Sequence, residues 1–498
     1  MFKSGWFSTL FANSSAGYTR LPQESNTTEN KRSNLLLVFT VINCVCLFLA
    51  AALFTLSYYE VPTFAQKLFK KEVYFKRPNA TKNIPCHKFF EPEVKYSELA
   101  KSFRVTYKDP NNEAELPTDC DSIMKRNNFY MESKQEKDFP LAYARNVYED
   151  YRFLEMLLST TYIPQNYYCY SVDGKASALF HKRINDLAKC FPNVYVTNLN
   201  LTMDSKGHNT NAHHMKCLEW LMKDNKNWKY VVLLQNYDVP LKTNQEMVQI
   251  FKWYNGTNDV STQQRPQWWI GKFSFEALRL FKNSSRNKLV VDGNKPEMPT
   301  YRSLVQVSMS RQSIDFIFGN LDLTQAINNF NAGTGTTNDE HIFSSLNSND
   351  NIQLPGGFTQ KCTKTAGTVA GLTRYNIWPS SRKLCDGQRW RHDICIFGLE
   401  ALQPKLSNNS FFFANKMIPS VDFGAIVCWN EMLFNRTHND RGIHRLNKSD
   451  YVNLPHVRFN HAKQKYGASF NITRFNCAKY AKDHIGTNVL AAGNKIVP

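Results

Sequence analysis

No glycine-rich phosphate loop follows any candidate strand of this 498-residue chain. Gly-x-Gly-x-x-Gly and the P-loop are both missing, which removes the two commonest ways of cradling a nucleotide on a helix N-terminus. No pair of cysteines has zinc-finger spacing, so a structural zinc is not expected. Internal repeats and heptad runs are absent as well, which excludes solenoids and coiled coils. Charge is missing altogether from Leu35 to Tyr58, although the whole chain carries a formal +19.

That uncharged run is long enough to cross a bilayer as one helix. It begins more than thirty residues into the chain and lacks a small-residue cleavage site, so it reads as a retained signal-anchor rather than a removed leader. The alternative is a buried core helix. Lys31 and Arg32 precede the run, with Lys3 and Arg20 further back, and Glu60 follows it. The positive-inside rule then assigns residues 1–34 to a cytosolic tail, 35–58 to the membrane, 59–85 to a lysine-rich stem, and the remainder to the far side. Ten of the twelve cysteines and eight Asn-X-Ser/Thr sites (Asn79, Asn200, Asn255, Asn283, Asn408, Asn435, Asn447 and Asn471) lie beyond the anchor. Both features suit a translocated, disulfide-bonded glycoprotein. This compartment excludes nucleic acid as the partner of the basic charge. An anionic small molecule such as a nucleoside diphosphate, or a solvated basic surface, accounts for it instead.

From residue 139 strand and helix patterns alternate. Strands are expected at Phe139–Tyr148, Tyr167–Val172, Val194–Thr197 and Tyr230–Leu234, the last a continuous apolar run typical of a strand buried on both faces. Helical spacing appears in Arg152–Leu158, in Leu179, Phe180, Ile184 and Leu187, and in Met215, Leu218, Leu221 and Met222. This order predicts an α/β fold with a mainly parallel central sheet, whose ligand site lies at the carboxyl ends of the strands. After residue 255 the pattern weakens. Leu304–Met309 and Ile394–Phe397 read as strands, Ser313–Phe318 as a helix and Thr336–Leu346 as a helix start, while 435–498 has no assignable element.

Several short stretches fall in a telling order: Phe139-Pro-Leu-Ala-Tyr, Tyr162-Ile-Pro-Gln-Asn-Tyr-Tyr-Cys169, Val172-Asp173, Cys190-Phe-Pro-Asn-Val, Asn227-Trp-Lys-Tyr230 running on to Asp238-Val-Pro-Leu-Lys-Thr-Asn244, Asn338-Asp-Glu340, Cys385-Asp-Gly387, Cys395-Ile-Phe-Gly398 and Phe413-Ala-Asn-Lys416. Together they resemble the core-2/I-branching β-1,6-N-acetylglucosaminyltransferase family (glycosyltransferase family 14), in a divergent, nematode-like form. The resemblance spans residues 86–430. It implies a GT-A-like glycosyltransferase domain over 86–435 with a luminal extension at 436–498, a UDP-sugar donor, an O-glycan or glycoprotein acceptor, inversion at the anomeric carbon, and a type II position in the Golgi membrane. A homodimer is an open option. No metal and no other cofactor is implied. The residues agree on that point: the buried strand ends Leu234-Gln-Asn-Tyr-Asp238 without Asp-x-Asp, and the only such pair, Asp119-Cys120-Asp121, precedes the sheet.

The resemblance assigns Glu340 as general base for the acceptor hydroxyl, Lys416 and Arg391 as cations on the diphosphate, and Asp173 as the uridine ligand. Bland readings stand beside each. Thr337-Asn-Asp-Glu340 is also a capping box, with Asp339 at a helix N-terminus; Asp173 could cap Gly174-Lys175; Lys and Arg are usually exposed. Counting back from Cys395 places His392, not Arg391, at the family's Arg, because one residue is inserted between the two cysteines. Four disulfides are implied, Cys86–Cys428, Cys120–Cys190, Cys169–Cys217 and Cys385–Cys395, leaving Cys362 and Cys477 to pair with each other or stay free. Ser261 stands where the family has an acceptor-binding Glu, and Trp378 offers an aromatic face for a sugar ring or fills the core. His213 and His214 are adjacent, a poor geometry for one metal, and suit surface or helix-packing roles. The alternatives are a β-glucosyl- or peptide O-xylosyltransferase of the same superfamily, or an inactive membrane-anchored glycan-binding protein.

Overall fold

The computed structural model describes residues 40–48, 74–92, 95–129, 136–264, 273–333, 338–366, 368–440 and 446–477. Met1–Glu72 and Val73–Pro498 form separate units. In the first, residues 40–48 are helical with exposed side chains, and the rest of the expected anchor, 35–58, lies outside the described residues. Among the described residues no helix is long and apolar enough to cross a membrane.

The second unit is built on a five-stranded sheet. Its strands are β1 (Leu141–Val147), β2 (Tyr167–Val172), β3 (Val194–Asn198), β4 (Tyr230–Gln235) and β5 (Ser308–Ser310), in the order β5-β4-β1-β2-β3. The first four are mutually parallel and β5 runs antiparallel to β4. Helices α1 (Tyr151–Thr161), α2 (Ala178–Lys189) and α3 (Thr210–Leu221) make the crossovers. The mixed α/β architecture with its parallel centre fits a GT-A-like domain, and the sequence periodicities located all seven of these elements up to β4 within a few residues.

Alternation along the strands feeds two cores. Tyr230, Val232 and Leu234 of β4 face one cluster, with Phe153, Leu154 and Leu157 of α1; Val231 and Leu233 face the other, with Cys217, Leu218 and Leu221 of α3. Burial on both faces is why β4 reads as an unbroken apolar run. The expected strand Leu304–Met309 shrinks to β5 because its first residues bond elsewhere: the Ser303 N–H donates to the Glu340 carbonyl, and the Leu304 N–H to Ser261 Oγ. Ile394–Phe397 contributes only Ile394–Cys395, the second arm of a hairpin with Trp390–Arg391. The helix Arg311–Asn320 covers and extends the expected Ser313–Phe318.

Five disulfides close the unit: Cys86–Cys428, Cys120–Cys190, Cys169–Cys217, Cys385–Cys395 and Cys362–Cys477. Asp119 caps the helix Cys120–Arg126 by accepting from the Ser122 N–H, a structural use of the Asp-x-Asp sequence. All eight asparagines of the candidate glycosylation sites are exposed.

The region after residue 435, unassigned from sequence, is built into the same unit. The helix Pro455–Tyr466 brings buried His456 to 3.3 Å from the fully buried Asp259, and Asn460 Nδ2 donates to Thr257 Oγ1 at 2.9 Å. Phe459 packs on Phe358, Phe470 and Phe475 beside the Cys362–Cys477 bridge. That bridge spans 115 residues, so its loss enlarges the unfolded ensemble considerably. Replacing both cysteines with Ser is expected to lower unfolding free energy by roughly 2–5 kcal/mol, read from urea melts; an unchanged midpoint contradicts this.

Candidate active site

The site starts at the turn after β4. Arg145, buried on β1, donates to the carbonyls of Gln235 (2.9 Å) and Asp238 (2.8 Å), so a guanidinium draws the turn's carbonyls inward. The Asp238 carboxylate is fully buried. It accepts from the Gln235 N–H (2.6 Å), from Gln306 Nε2 (2.8 Å) and from Asn415 Nδ2 (2.8 Å). Arg374 completes a ring: its NH1 donates to Gln306 Oε1 (2.8 Å) and its NH2 to Asn415 Oδ1 (2.9 Å). The segment that in many GT-A enzymes supplies metal ligands is here committed to internal hydrogen bonds. Among the described residues no group of three or more His, Cys, Asp or Glu side chains is placed to hold a metal.

Lys416 follows Asn415 directly. Its strand, Phe413–Ala414, pairs with Val239–Pro240 and with Arg374–Tyr375, which fixes its position beside the turn. Lys416 is only 8% exposed. No hydrogen bond or ion pair to its ammonium occurs among the described residues, and its charged neighbours are Arg374, Arg391 and Asp238. Burial, reinforced by the two guanidinium groups, pushes its pKa down to about 8.

Arg391 ends the first arm of the hairpin. The turn that follows is formed by His392 and Asp393, which both adopt positive φ (48° and 56°), the backbone that a tight two-residue hairpin demands. Arg391 therefore keeps its strand position, and His392 joins the same positive cluster, its pKa lowered by burial and by Lys416 and Arg391. The guanidinium lies over the Tyr237 ring at 5.3 Å, 3.2 Å from Tyr148 OH and 3.4 Å from Glu149 Oε1. Tyr237 OH is 2.6 Å from both Glu149 Oε1 and Asp150 Oδ2. One phenolic proton serves only one of these contacts, so the other needs a proton on a carboxyl group. Asp150, raised to about 6 chiefly by burial with the Glu149 charge adding, is suited to hold it.

Glu340 lies in a single turn, Asn338–Glu340, and its Oε2 receives the Arg302 Nε–H. The next helix, Ile342–Asn347, has His341 at its N-cap with no side-chain cap bond, and Thr337, the first residue of the expected capping box, lies outside the described residues. Asp339 serves a different helix from the one expected: it bonds the Thr210 side chain at the start of α3, and burial together with the Glu340 charge lifts its pKa to about 7. Gly207 permits this approach, since a side chain there would overlap Asp339. Ser261 shares a scaffold with Glu340: it holds the Leu304 N–H while the neighbouring Ser303 N–H holds the Glu340 carbonyl.

Asp173 ends β2, buried, and its Oδ1 accepts from the N–H groups of Lys175 and Met203, both at 3.1 Å. The turn-capping reading is thus satisfied, one strand away from Glu149. Trp378 is half-buried, four residues beyond Arg374, and caps the turn Pro379–Leu384. His213 and His214 are fully buried, not surface residues. They bond Ser171 and the Leu201 and Leu234 carbonyls, and burial lowers both pKa values, that of His214 to about 4. Sequence reasoning passed over Arg374, Arg302, Gln306 and Asn415. Asn415 lies within Phe413-Ala-Asn-Lys416, but nothing local in the sequence reveals a ring closed by residues so far apart.

The Core-2/I-Branching enzyme family model matches residues 141–404, more than half of the chain. The chain is 26% identical over 377 residues to the human beta-1,3-galactosyl-O-glycosyl-glycoprotein beta-1,6-N-acetylglucosaminyltransferase, covering 71% of this chain and 86% of that protein. It is 28% identical over 375 residues to the mouse beta-1,3-galactosyl-O-glycosyl-glycoprotein beta-1,6-N-acetylglucosaminyltransferase 4 (71% and 80%). It is also 28% identical over 341 residues to the human N-acetyllactosaminide beta-1,6-N-acetylglucosaminyl-transferase (66% and 79%).

A depressed lysine pKa means that the charged form is disfavoured on folding. The cost is fully present below pH 8 and fades as pH rises toward the unfolded value near 10.5. Lys416→Met is therefore expected to stabilise the empty protein by about 1–3 kcal/mol at pH 7, with the gain vanishing above pH ~10, in urea melts across pH. A destabilised variant at pH 7 contradicts the unpaired charge.

Proposed function

The chain belongs to the core-2/I-branching enzyme family and is a glycosyltransferase; from that premise we propose that it transfers N-acetylglucosamine from UDP-N-acetylglucosamine in β-1,6 linkage to an O-glycan. The reaction is a single inverting displacement, without a divalent ion, on the luminal side of the Golgi membrane. Residues 35–58 are the anchor, and the exposed asparagines are acceptors for the protein's own glycans.

The observation that carries this reading is the nearly buried Lys416 ammonium, with no acceptor of its own, clustered with Arg374 and Arg391. Such a cluster is unfavourable when empty and takes a diphosphate in its place. Lys416 and Arg391 hold the phosphates, and their fixed charges stabilise UDP as the bond to C1 breaks, where the low local dielectric strengthens each interaction. Asp173 meets the uridine at the end of β2. Glu340 accepts the proton of the acceptor hydroxyl as it attacks C1 from the opposite face, while Arg302 orients the carboxylate. Ser261, on the Glu340 scaffold, and Trp378 contact the acceptor. Serine in place of the expected Glu favours an acceptor different from that of the vertebrate relatives.

Glu340→Gln in the full-length protein is expected to lower kcat at least 100-fold, with UDP affinity changed less than about threefold, because only the proton acceptor is lost. UDP release is to be measured in EDTA with a panel of UDP-sugars and O-glycan acceptors. Normal turnover by the variant rejects Glu340 as base. Wild-type turnover that disappears in EDTA and returns with Mn²⁺ rejects the metal-free mechanism.

A further inference from the structure

Arg374 is not among the residues that the family resemblance assigned. Its guanidinium lies between the two halves of the site. Glu340, Asp339, Asp238 and Arg302 are its charged neighbours, and Lys416 senses its charge from the other side. Arg374 is 4% exposed, and its two terminal nitrogens are fixed by Gln306 and Asn415, both tied to Asp238. Its Nε–H is buried without an acceptor.

We propose that Arg374 is a positioning residue for the transfer: by bridging Gln306 and Asn415 it fixes the chain bearing Lys416, and its charge raises the anion-attracting potential at that ammonium. The proposal rests on Lys416 being a diphosphate ligand. Two functions follow from the guanidinium's shape and charge. The planar fork serves two acceptors at once, which an ammonium on a flexible stem cannot reproduce. The fixed positive charge disfavours protonation of Lys416, so that a bound anion gains more there than it would beside a neutral residue. The groups facing Lys416 are Arg374 from one strand, Arg391 and His392 from the hairpin, and Asp238 from the turn after β4; Asp238 alone is acidic, and it is saturated by hydrogen bonds.

The test uses full-length protein in detergent, UDP titration calorimetry, and the pH profile of kcat/KM. Arg374→Gln is expected to weaken UDP binding roughly tenfold and to move the alkaline limb up by about one pH unit, since Lys416 then holds its proton more tightly. Arg374→Lys retains the charge, so the limb stays near its wild-type position while UDP affinity still falls about tenfold. An unmoved limb in Arg374→Gln, whatever its stability, overturns the proposal, because a purely structural residue lowers the melting point without retuning Lys416. Should Arg374→Gln not fold, wild-type UDP affinity in Arg374→Lys overturns it. Lys416→Met separates the two levels of argument: unchanged UDP binding there refutes Lys416 as the ligand, whereas lost binding there with an unmoved limb in Arg374→Gln refutes only the role of Arg374.

Discussion

Asp238 has no solvent exposure, and its two carboxylate oxygens bind one N–H of its own turn and two side chains from distant parts of the chain. Gln306 comes from the approach to β5, Asn415 from the strand that delivers Lys416, and the Gln235 N–H from the end of β4. An ionised carboxylate in such a place is tolerated only when its lone pairs are taken and positive charge is near. Arg374 meets both needs indirectly, by holding the two amides whose NH2 groups bond Asp238. The donor-side geometry depends on this ring. Removing any one member leaves another buried polar group without a partner, which costs more than the lost bond itself.

The ring also sets the character of the turn after β4. That turn has one carboxylate, wholly internal, and its carbonyls face Arg145. Positive charge is built into the fold beside it, in Arg374, Arg391 and Lys416. The consequence is a cost in the empty protein, visible in the depressed pKa of Lys416. Five disulfides and the C-terminal segment that clasps Asp259 supply stability against which that cost is carried.

Periodicity revealed the sheet because each strand has one physical environment along its length. Tyr230–Leu234 is buried on both faces and has no polar interruption, and α1 and α3 each turn one apolar stripe to the sheet. The second half was less legible for an equally physical reason. Segments such as Ser303–Leu304 satisfy their backbone donors with a carbonyl or a hydroxyl far along the chain, a choice that no local pattern encodes. Glu340, Lys416 and Arg391 were named through family motifs, and the structure places Lys416 and Arg391 in one cluster with Arg374 between them and Glu340. Counting from the two cysteines points to Arg391 from one side and His392 from the other; in the structure Arg391 ends a strand and His392 opens the hairpin turn. The residues after 435 carry no strong periodicity, yet the helix Pro455–Tyr466 is fixed by two buried polar side chains, His456 and Asn460, beside the buried Val457 and Phe459.

The charges of the site are not equally free to meet a ligand. Arg374 is internally compensated by the amides around Asp238 and by the nearby acids Asp339 and Glu340. Arg391 has Glu149 at 3.4 Å, an anion standing where a phosphate oxygen can replace it. Only Lys416 lacks a partner among the described residues. Two unit charges 4 Å apart interact by about 4 kcal/mol at the effective dielectric of a protein surface and about 1 kcal/mol in water. A diphosphate entering this cleft therefore gains most at Lys416, where no existing contact is given up, and least at Arg391, where it must displace a carboxylate. The carboxyl pair at Tyr237 then sets the balance: a proton on Asp150, favoured as the pH falls toward about 6, leaves the phenolic hydrogen to Glu149 and weakens that residue's hold on Arg391. In the proposed function, Lys416 therefore governs how tightly the nucleotide is held, and Glu149 how freely Arg391 turns to meet it.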